Sequence, residues 1–317
     1  MDSINNNLKQ QVELICMDCE YIGKVKLNYD FYNGCDCYSD GDIEDEMLDI
    51  VKSNKNYESI LSSDETRWPI LYHFSPFRVN IIEWYPFEKD ANILEIGSDC
   101  GAVTKALCQN TFVTCIELSK KRSLINAYRN KDIDNIEIIV GNFNDIKIDN
   151  KFDAVTLIGV LEYAKMYTNS ANPYIDFLKY IKSFLKDNGK LIIAIENKFG
   201  LKYWAGAGED HTNIVFESIE GYNNNQNVRT FSKMELKDML KEAGYSNQKF
   251  YYPYPDYKLP QIIFSDNILP KINELNINNF NYDNERITLF DEQSVYNELI
   301  KNKTFDFFSN SFLVIAS

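Results

Sequence analysis

"NILEIGSDCGAV", residues 92–103, decides the fold, because an apolar strand here runs directly into a turn marked by two glycines. Gly97 and Gly101 bracket the turn, and Glu95 lies two residues before the first glycine. Turns of this kind bind dinucleotides, phosphates or sulfonium cofactors, so the surrounding residues have to identify the ligand. A βα turn that binds no ligand is the simpler alternative.

Apolar strands and helices alternate through the middle of the chain. Strands are predicted at 92–96, 111–117, 136–140, 152–160 and 190–196, with helices at 101–109, 119–129 and 172–186. Further on, a capped helix at 232–244 and strands at 249–254 and 310–317 are predicted. This order is typical of an α/β fold in which helices cover both faces of a largely parallel sheet.

The residues around the turn favour one ligand class. The NAD fingerprint needs a glycine where this chain has Asp99, and no Gly-Lys-Ser/Thr follows, as a Walker motif would require. Glu117 ends the second strand, where an acid can accept both ribose hydroxyls of NAD or of S-adenosylmethionine. "VGNFND" (140–145) then offers an Asn amide and a backbone N–H for the edge of an adenine.

Residues 91–197 resemble the core of a class I S-adenosylmethionine-dependent methyltransferase, since "FDAVTLIGVLEY" (152–163) and "LKDNGKLIIAIENK" (185–198) follow at the intervals of that family. The resemblance implies a Rossmann-like, seven-stranded sheet whose last strand is antiparallel. Asp99 departs from the usual middle glycine of the turn, but Asp tolerates a left-handed backbone better than most residues.

The same resemblance implies the cofactor residues. The turn holds the cofactor, Glu117 the ribose, Asn142 and Phe143 the adenine, and Ile158 with Gly159 the methionine end. Many relatives have Asp in place of Asn142. The full expected set is Glu95, Gly97, Ser98, Gly101, Glu117, Leu118, Asn142, Phe143, Ile158 and Gly159.

Longer phrases resemble a bacterial methyltransferase family associated with cell-surface glycan gene clusters, often beside or fused to glycosyltransferases. These phrases are "YSDGDIEDE" (38–46), "YHFSPFR" (72–78), "IENKFGLKYWAGAGEDHT" (195–212), "YYPYPDYKLP" (251–260) and "FSNSFLV" (308–314). We expect an N-terminal extension over 1–90, containing a small β element and helices. The methyltransferase domain over 91–317 then carries insertions at about 199–230 and 255–308, and segments 67–87 and 199–230 cap the acceptor pocket.

Candidate catalytic residues cluster after the fifth predicted strand. His211 has Glu209 and Asp210 beside it, and an unperturbed His is mostly neutral at pH 7, so we expect it to act as a general base. Asp210 and Glu196 are the alternatives. The expected acceptor pocket comprises Tyr163, Tyr203, Trp204, His73 and Arg78, although ordinary core packing is the competing role for the aromatic residues.

Composition excludes several classes of function. The net charge of −14, from 33 Lys and Arg against 47 Asp and Glu, argues against a nucleic-acid partner. No apolar run reaches the ~18 residues of a membrane span, and the polar N-terminus does not look like a signal peptide. Seven cysteines fit a reducing cytoplasm. A zinc site at Cys16, Cys19, Cys35 and Cys37 is the alternative use of four of them, but no metal is expected.

The expected function is therefore a cytoplasmic methyltransferase (EC 2.1.1) that uses S-adenosyl-L-methionine, releases S-adenosyl-L-homocysteine and O-methylates a sugar of a surface-glycan precursor. Two alternatives stay open: an N- or O-methyltransferase of a small molecule or peptide, and a non-catalytic, cofactor-binding scaffold. A glycosyltransferase is a possible partner, and the sequence does not define the oligomeric state.

Overall fold

A computed structural model describes residues 18–36, 39, 41–53, 57–62, 67–223, 227–277 and 286–317, and these residues form one mixed sheet flanked by helices. Its strands are β1 (Cys19–Ile22), β2 (Val25–Phe31), β3 (Ala91–Ile96), β4 (Thr111–Glu117), β5 (Ile136–Gly141), β6 (Phe152–Ile158), β7 (Leu185–Glu196), β8 (Gln248–Tyr254), β9 (Ile262–Ser265) and β10 (Ser311–Ala316). All five apolar segments of the expected alternating core are therefore strands.

The strand order is β1-β2-β5-β4-β3-β6-β7-β10-β8-β9. Strands β5, β4, β3, β6 and β7 are parallel, and β10 is antiparallel to both of its neighbours, as expected for the last strand. The expected total of seven strands is wrong, because the described part of the sheet has ten. The hairpin β1–β2 extends one edge beyond β5, and β9 extends the other beyond β8.

The strands added at the two edges of the sheet bury apolar side chains. Val25 and Leu27 of β2 are fully buried and Tyr29 is 8% exposed, so β2 covers the edge of β5 with alternate apolar residues. Phe264 of β9 is buried in the same way at the opposite edge. Covering a sheet edge removes unpaired backbone groups that would otherwise bind another chain.

The helices are α1 (Ile43–Lys52), α2 (Tyr57–Leu61), α3 (Trp68–Phe74), α4 (Thr104–Leu107), α5 (Lys120–Arg129), α6 (Ala164–Tyr167), α7 (Pro173–Lys182), α8 (Leu201–Trp204), α9 (Lys233–Glu242), α10 (Glu292–Lys301) and α11 (Phe305–Phe308). The capping box that predicts α9 is present, with Ser232 and Glu235 each accepting from the other's backbone N–H. Helix α4 is shorter than its predicted range of 101–109, because the turn continues to Val103.

The core has three parts. Alternate residues of the strands point to opposite faces, so Leu94 and Ile116 belong to one buried cluster and Ile93 and Val113 to the other. A third cluster, which includes Met47 of α1 and Phe74 of α3, packs against α5. This third cluster holds the N-terminal helices beside the carboxyl ends of the strands.

Two expectations concern the chain outside this core. Among the described residues, no helix combines the length and apolar character needed to cross a membrane. Cys16 and Cys37 lie outside the described residues. Cys35 is exposed, and Cys19 is disulfide-bonded, which departs from the expectation of reduced cysteines.

Candidate cofactor and acceptor site

A cavity of about 360 Å³ opens at the carboxyl ends of the parallel strands. Such a volume is typical of a site for a small molecule. The lining formed by the described residues includes the whole set expected for the cofactor except Gly101. The residues that the sequence predicted at the ends of the strands therefore lie together in one cavity.

The turn after β3 uses left-handed backbone at Gly97 (φ +71°), Asp99 (φ +51°) and Gly101 (φ +73°). A Cβ atom at Gly97 would lie 2.7 Å from Val160, and one at Gly101 would lie 2.3 Å from Asn126. Both positions therefore need glycine for space as well as for conformation. Gly101 shapes the turn from behind, which explains its absence from the lining.

The Asp99 side chain fixes this turn to two helices. Its Oδ2 lies 3.2 Å from His73 Nδ1 on α3, and its Oδ1 lies 3.1 Å from Arg122 Nη1 on α5. Burial alone would raise the pKa of Asp99, but His73 and Arg122 outweigh it and lower the pKa. Arg122 also pairs with the buried Glu44 of α1 at 2.8 Å, so the N-terminal helices are joined to the turn through charge as well as packing.

Glu117, at the end of β4, is only 5% exposed and lines the cavity. Its two oxygens accept the backbone N–H groups of Asp99 (2.8 Å) and Ser119 (2.9 Å). Each carboxylate oxygen can accept a second hydrogen bond, so the capacity to bind two hydroxyls remains. Burial, together with the nearby Asp99 carboxylate, raises the pKa of Glu117 to about 7.

Glu95 has a more internal role than Glu117. Its Oε2 accepts a hydrogen bond from Thr104 Oγ1 at 2.6 Å and another from the Cys115 thiol. Burial raises the pKa of Glu95 to about 7. Because Thr104 begins α4, Glu95 connects the end of β3 to the helix that follows the turn.

The remaining cofactor residues follow β5 and β6. Asn142 Oδ1 accepts the backbone N–H of Asn144 at 3.0 Å, which fixes the amide beside Phe143. Gly159 has a φ of +70°, and a Cβ there would lie 2.9 Å from the Tyr257 hydroxyl. The glycine thus allows the Tyr257 hydroxyl to approach the end of β6. A glycine cradle and a buried acid with spare acceptor capacity fit an adenosyl cofactor with a ribose.

At the other end of the cavity, His211 lies between two carboxylates. Its Nδ1 is 2.9 Å from Glu209 Oε1, and its Nε2 is 3.8 Å from Glu162 Oε1. Burial lowers the pKa of His211, but Glu162 and Glu209 outweigh burial and raise it well above its ordinary value. This arrangement therefore favours the doubly protonated, positively charged form of the imidazole. The general-base prediction assumed a mostly neutral ring.

Asp210 and Glu196 are both engaged with lysines. Asp210 is paired with Lys202 at 2.8 Å and with Lys258, and it also accepts from the Tyr203 hydroxyl. Burial raises the pKa of Asp210, but the two lysines outweigh it and hold the pKa well below its ordinary value. Glu196 is fully buried at the end of β7, with Oε1 2.9 Å from Lys258 Nζ.

The residues expected around the acceptor divide into two groups. Tyr163, His73 and Arg78 line the cavity, and burial lowers the pKa of His73 to about 4. Tyr203 and Trp204 are outside the lining that the described residues form. Tyr203 is fully buried, while Trp204 is 39% exposed and packs against Phe308.

Several lining residues were not identified from the sequence: Trp68, Tyr72, Arg122, Glu162, Tyr257 and Lys258. Glu162, Tyr257 and Lys258 lie within phrases that carry the resemblance, so the segments were found but the residues were not. Arg122 lies in the basic start of a helix, where no local pattern distinguishes an inward side chain from a solvated one.

The chain is similar in sequence to known methyltransferases. The model of a family described as "Methyltransferase domain" matches residues 77–249. An uncharacterized methyltransferase of Alkaliphilus oremlandii (strain OhILAs) is 29% identical over 143 residues, which are 45% of this chain and 62% of the relative. The mitochondrial ubiquinone biosynthesis O-methyltransferase of Dictyostelium discoideum is 25% identical over 126 residues, 35% of this chain and 37% of that protein. Both matches span less than two thirds of the relatives.

Among solved structures, the CcbJ methyltransferase of Streptomyces caelestis has a TM-score of 0.47 and 13% identity, with 88% of this chain and 98% of that chain covered. A possible histamine N-methyltransferase of Thermotoga maritima has a TM-score of 0.45 and 15% identity, with 86% and 99% covered.

Proposed function

The chain belongs to the methyltransferase domain family, and from that premise we propose that it methylates an oxygen of a surface-glycan precursor, such as a nucleotide- or lipid-linked sugar. Its cofactor is S-adenosylmethionine, which supplies a methyl group on a positively charged sulfur. The proposal concerns the acceptor, and the polar character of the acceptor end of the cavity is the observation that supports it.

We assign the binding of the cofactor to the residues between β3 and the end of β6. Glu117 accepts the ribose hydroxyls, and Asn142 with Phe143 contacts the adenine. Gly97 and Gly159 supply the left-handed backbone of the two turns beside the cofactor. Asp99 acts as a positioning residue, because it holds the turn against His73 and Arg122.

The acceptor end suits a molecule with many hydroxyl groups. Glu162 and Glu196 are 1% and 0% exposed, and both line the cavity. Within the described part of the chain, Glu162 Oε2 and Glu196 Oε2 accept no hydrogen bond, while Glu196 Oε1 pairs with Lys258. Hydroxyls would supply the missing donors, and the rings of Tyr72 and Tyr257, which also line the cavity, would pack against a sugar.

A sugar hydroxyl becomes a good nucleophile only when its proton is removed. The assignment of His211 as the proton acceptor, oriented by Glu209, stays a prediction, and the raised pKa means that the ring has to lose its own proton first. Asp210 binds a proton weakly because of its two lysines, so a positioning role fits it better. Glu196 is the alternative acceptor of the proton.

The rival functions differ in the acceptor or in catalysis itself. An N- or O-methyltransferase of a small molecule or peptide would keep the cofactor end and change the acceptor. A cofactor-binding scaffold would bind S-adenosylmethionine without turnover. The proposed glycan substrate also implies a cytoplasmic step and a glycosyltransferase as a working partner.

The test is to incubate the full chain with S-adenosylmethionine and a panel of nucleotide sugars, lipid-linked sugars, amines and peptides. Release of S-adenosylhomocysteine with a sugar-containing acceptor, and a mass increase of one methyl group on it, is the expected result. Turnover confined to amines or peptides would refute the proposal. Tight cofactor binding without turnover on any acceptor would favour the scaffold.

A further inference from the structure

Two carboxylates and one imidazole at the acceptor end form a cluster that the proposed methyl transfer does not fully explain. The cluster consists of Glu162, Glu196 and His211, and one ligand atom from each lies within 4.8 Å of the others. All three residues line the cavity. They come from three separate segments that meet at the carboxyl ends of β6 and β7.

The carboxylates in this cluster are short of partners. Among the described residues, Glu162 Oε2 and Glu196 Oε2 have no hydrogen-bond donor. Lys258 Nζ lies 2.9 Å from Glu196 Oε1, but Glu196 Oε2 is not engaged in this pair. Buried carboxylates without donors are unfavourable, so buried charges in proteins are paired or bind metals.

The histidine is oriented as a metal ligand would be. Its Nδ1 lies 2.9 Å from Glu209 Oε1, and its Nε2 is directed toward Glu162. Glu209 is fixed in turn, because it accepts hydrogen bonds from the backbone N–H groups of His211 and Thr212 and from the Tyr222 hydroxyl. A carboxylate that holds one ring nitrogen while the other faces a site is the usual arrangement around a metal-bound histidine.

We propose that Glu162, Glu196 and His211 bind a divalent cation of the Mg²⁺ or Mn²⁺ class. Carboxylate oxygens suit these ions, and one imidazole nitrogen is compatible with Mn²⁺ in particular. The positions that the protein leaves open would be taken by water or by oxygens of the acceptor. The role in the reaction rests on the proposed function, whereas binding of the ion does not.

A cation here would activate an acceptor hydroxyl directly. An acceptor hydroxyl bound to the ion has a lowered pKa and loses its proton to water. The oxygen then forms its bond to the methyl carbon as the carbon–sulfur bond breaks, with S-adenosylhomocysteine as the other product.

A second cluster of possible ligands, His73, Asp99 and Cys100, serves as an internal contrast. Its carboxylate lies 3.1 Å from Arg122 as well as 3.2 Å from His73. Burial holds the pKa of the Cys100 thiol well above its ordinary value, so the thiol stays protonated. Because a protonated thiol is a poor ligand, this cluster offers two ligand groups where the proposed site offers three.

The experiment is a titration of the full chain with Mn²⁺ alone. Binding is measured as the loss of the free-ion signal in electron paramagnetic resonance. The wild type should bind one Mn²⁺ per chain, and Mg²⁺ should compete for the same site. Glu162→Gln and Glu196→Gln should each weaken binding by more than about 10-fold, and Glu209→Gln should weaken it by about 10–100-fold through the orientation of His211.

Glu292→Gln, which alters a carboxylate outside the cavity, should leave Mn²⁺ binding unchanged. Calorimetry with S-adenosylhomocysteine and circular dichroism establish that each variant is folded. Weak binding at many sites, or binding that survives both Glu162→Gln and Glu196→Gln, would overturn the proposal. If S-adenosylhomocysteine binds normally and Mn²⁺ does not, the metal site fails while the methyltransferase assignment stands.

Discussion

The residues assigned to the cofactor all come from the stretch 95–159, whereas Glu162, Glu196, His211 and Lys258 bring separate segments to the acceptor end. At the cofactor end, Glu117 accepts a backbone N–H on each oxygen, whereas Ser98 Oγ has no partner among the described residues. At the acceptor end, Glu162 Oε2 and Glu196 Oε2 have no donor among those residues. Both ends therefore leave polar atoms for a ligand, and at the acceptor end these are carboxylate oxygens.

This difference separates binding from chemistry. Changes at the cofactor end should alter affinity for S-adenosylhomocysteine, and changes at the acceptor end should alter turnover. The two histidines of the chain lie one at each end, since His73 contacts Asp99 of the turn and His211 lies between Glu162 and Glu209. They offer a matched pair for the largest expected effect.

We predict that His211→Ala lowers turnover by about 10²–10⁴-fold, the range for loss of a proton-transfer group. The same loss follows if His211 holds a cation, and Mn²⁺ titration of the variant distinguishes the two roles. Cofactor affinity, measured by calorimetry with S-adenosylhomocysteine, should change by less than about twofold, since His211 lies at the acceptor end.

His73→Ala is the matched variant at the other end. It removes a partner of Asp99, so it should weaken cofactor binding by about 2–10-fold, the effect of one hydrogen bond.

If His211→Ala keeps near-normal turnover, the proton-transfer role moves to Glu196 or Asp210. Equal effects of both variants on affinity and turnover would show that the two ends are not separable.

The next largest effect is expected at Glu117. Glu117→Ala should weaken S-adenosylhomocysteine binding by about 1.5–3 kcal/mol, because charge-assisted hydrogen bonds to the ribose are lost. Glu117→Gln keeps the shape and removes the charge, so it should fall between the wild type and Glu117→Ala. The measurement is calorimetry, with NAD as the negative control. An unchanged dissociation constant, or tight binding of NAD, would contradict the assignment.

The contrast between the ends also explains which residues the sequence could predict. In a parallel sheet, consecutive strands end at the same edge, so Gly97, Glu117 and Asn142 are placed together by strand spacing alone. Glu162, His211 and Lys258 meet only after long stretches of chain have folded back, and no local period reports such contacts. Their segments carried the resemblance, but side-chain direction required the structure.

The positions of the edge strands in the sheet could not be predicted from the sequence for a similar reason. A small β element was expected near the N-terminus, and its strand β2 pairs in parallel with β5, which lies more than 100 residues later in the chain. Alternating apolar residues indicate a strand but do not specify its partner. Tyr203 and Trp204 illustrate the same point, since an aromatic pair beside the site is equally compatible with core packing.

A smaller effect concerns the pH dependence of stability at Glu95, whose pKa burial raises to about 7 in the folded state. The unfolded value is lower, so the folded state binds more protons at intermediate pH and its unfolding free energy falls as the pH rises. Between pH 6 and pH 8, one such group lowers the unfolding free energy by about 1 kcal/mol.

Glu95→Gln cannot ionise, so its loss of stability between pH 6 and pH 8 should be smaller than that of the wild type by about 1 kcal/mol. Glu117 has a similar pKa and remains in both proteins, which leaves part of the dependence in place. Urea unfolding at the two pH values gives the comparison. If the unfolding free energies of the two proteins change equally with pH, Glu95 does not titrate in this range.

The smallest catalytic effect is expected for Trp204, which has 39% of its surface exposed and packs edge-on against Phe308, with 6.2 Å between ring centroids. Tyr163 is the matched aromatic residue inside the cavity, where its ring packs against His211 with a centroid distance of 5.3 Å. Trp204→Ala should leave turnover and the Michaelis constant for the acceptor within about twofold of the wild type, because ordinary surface substitutions act weakly. Tyr163→Ala should raise that Michaelis constant, since it removes a wall of the acceptor end. If Trp204→Ala instead impairs the acceptor while Tyr163→Ala does not, the acceptor extends over α8 and the acceptor end is larger than the cavity described.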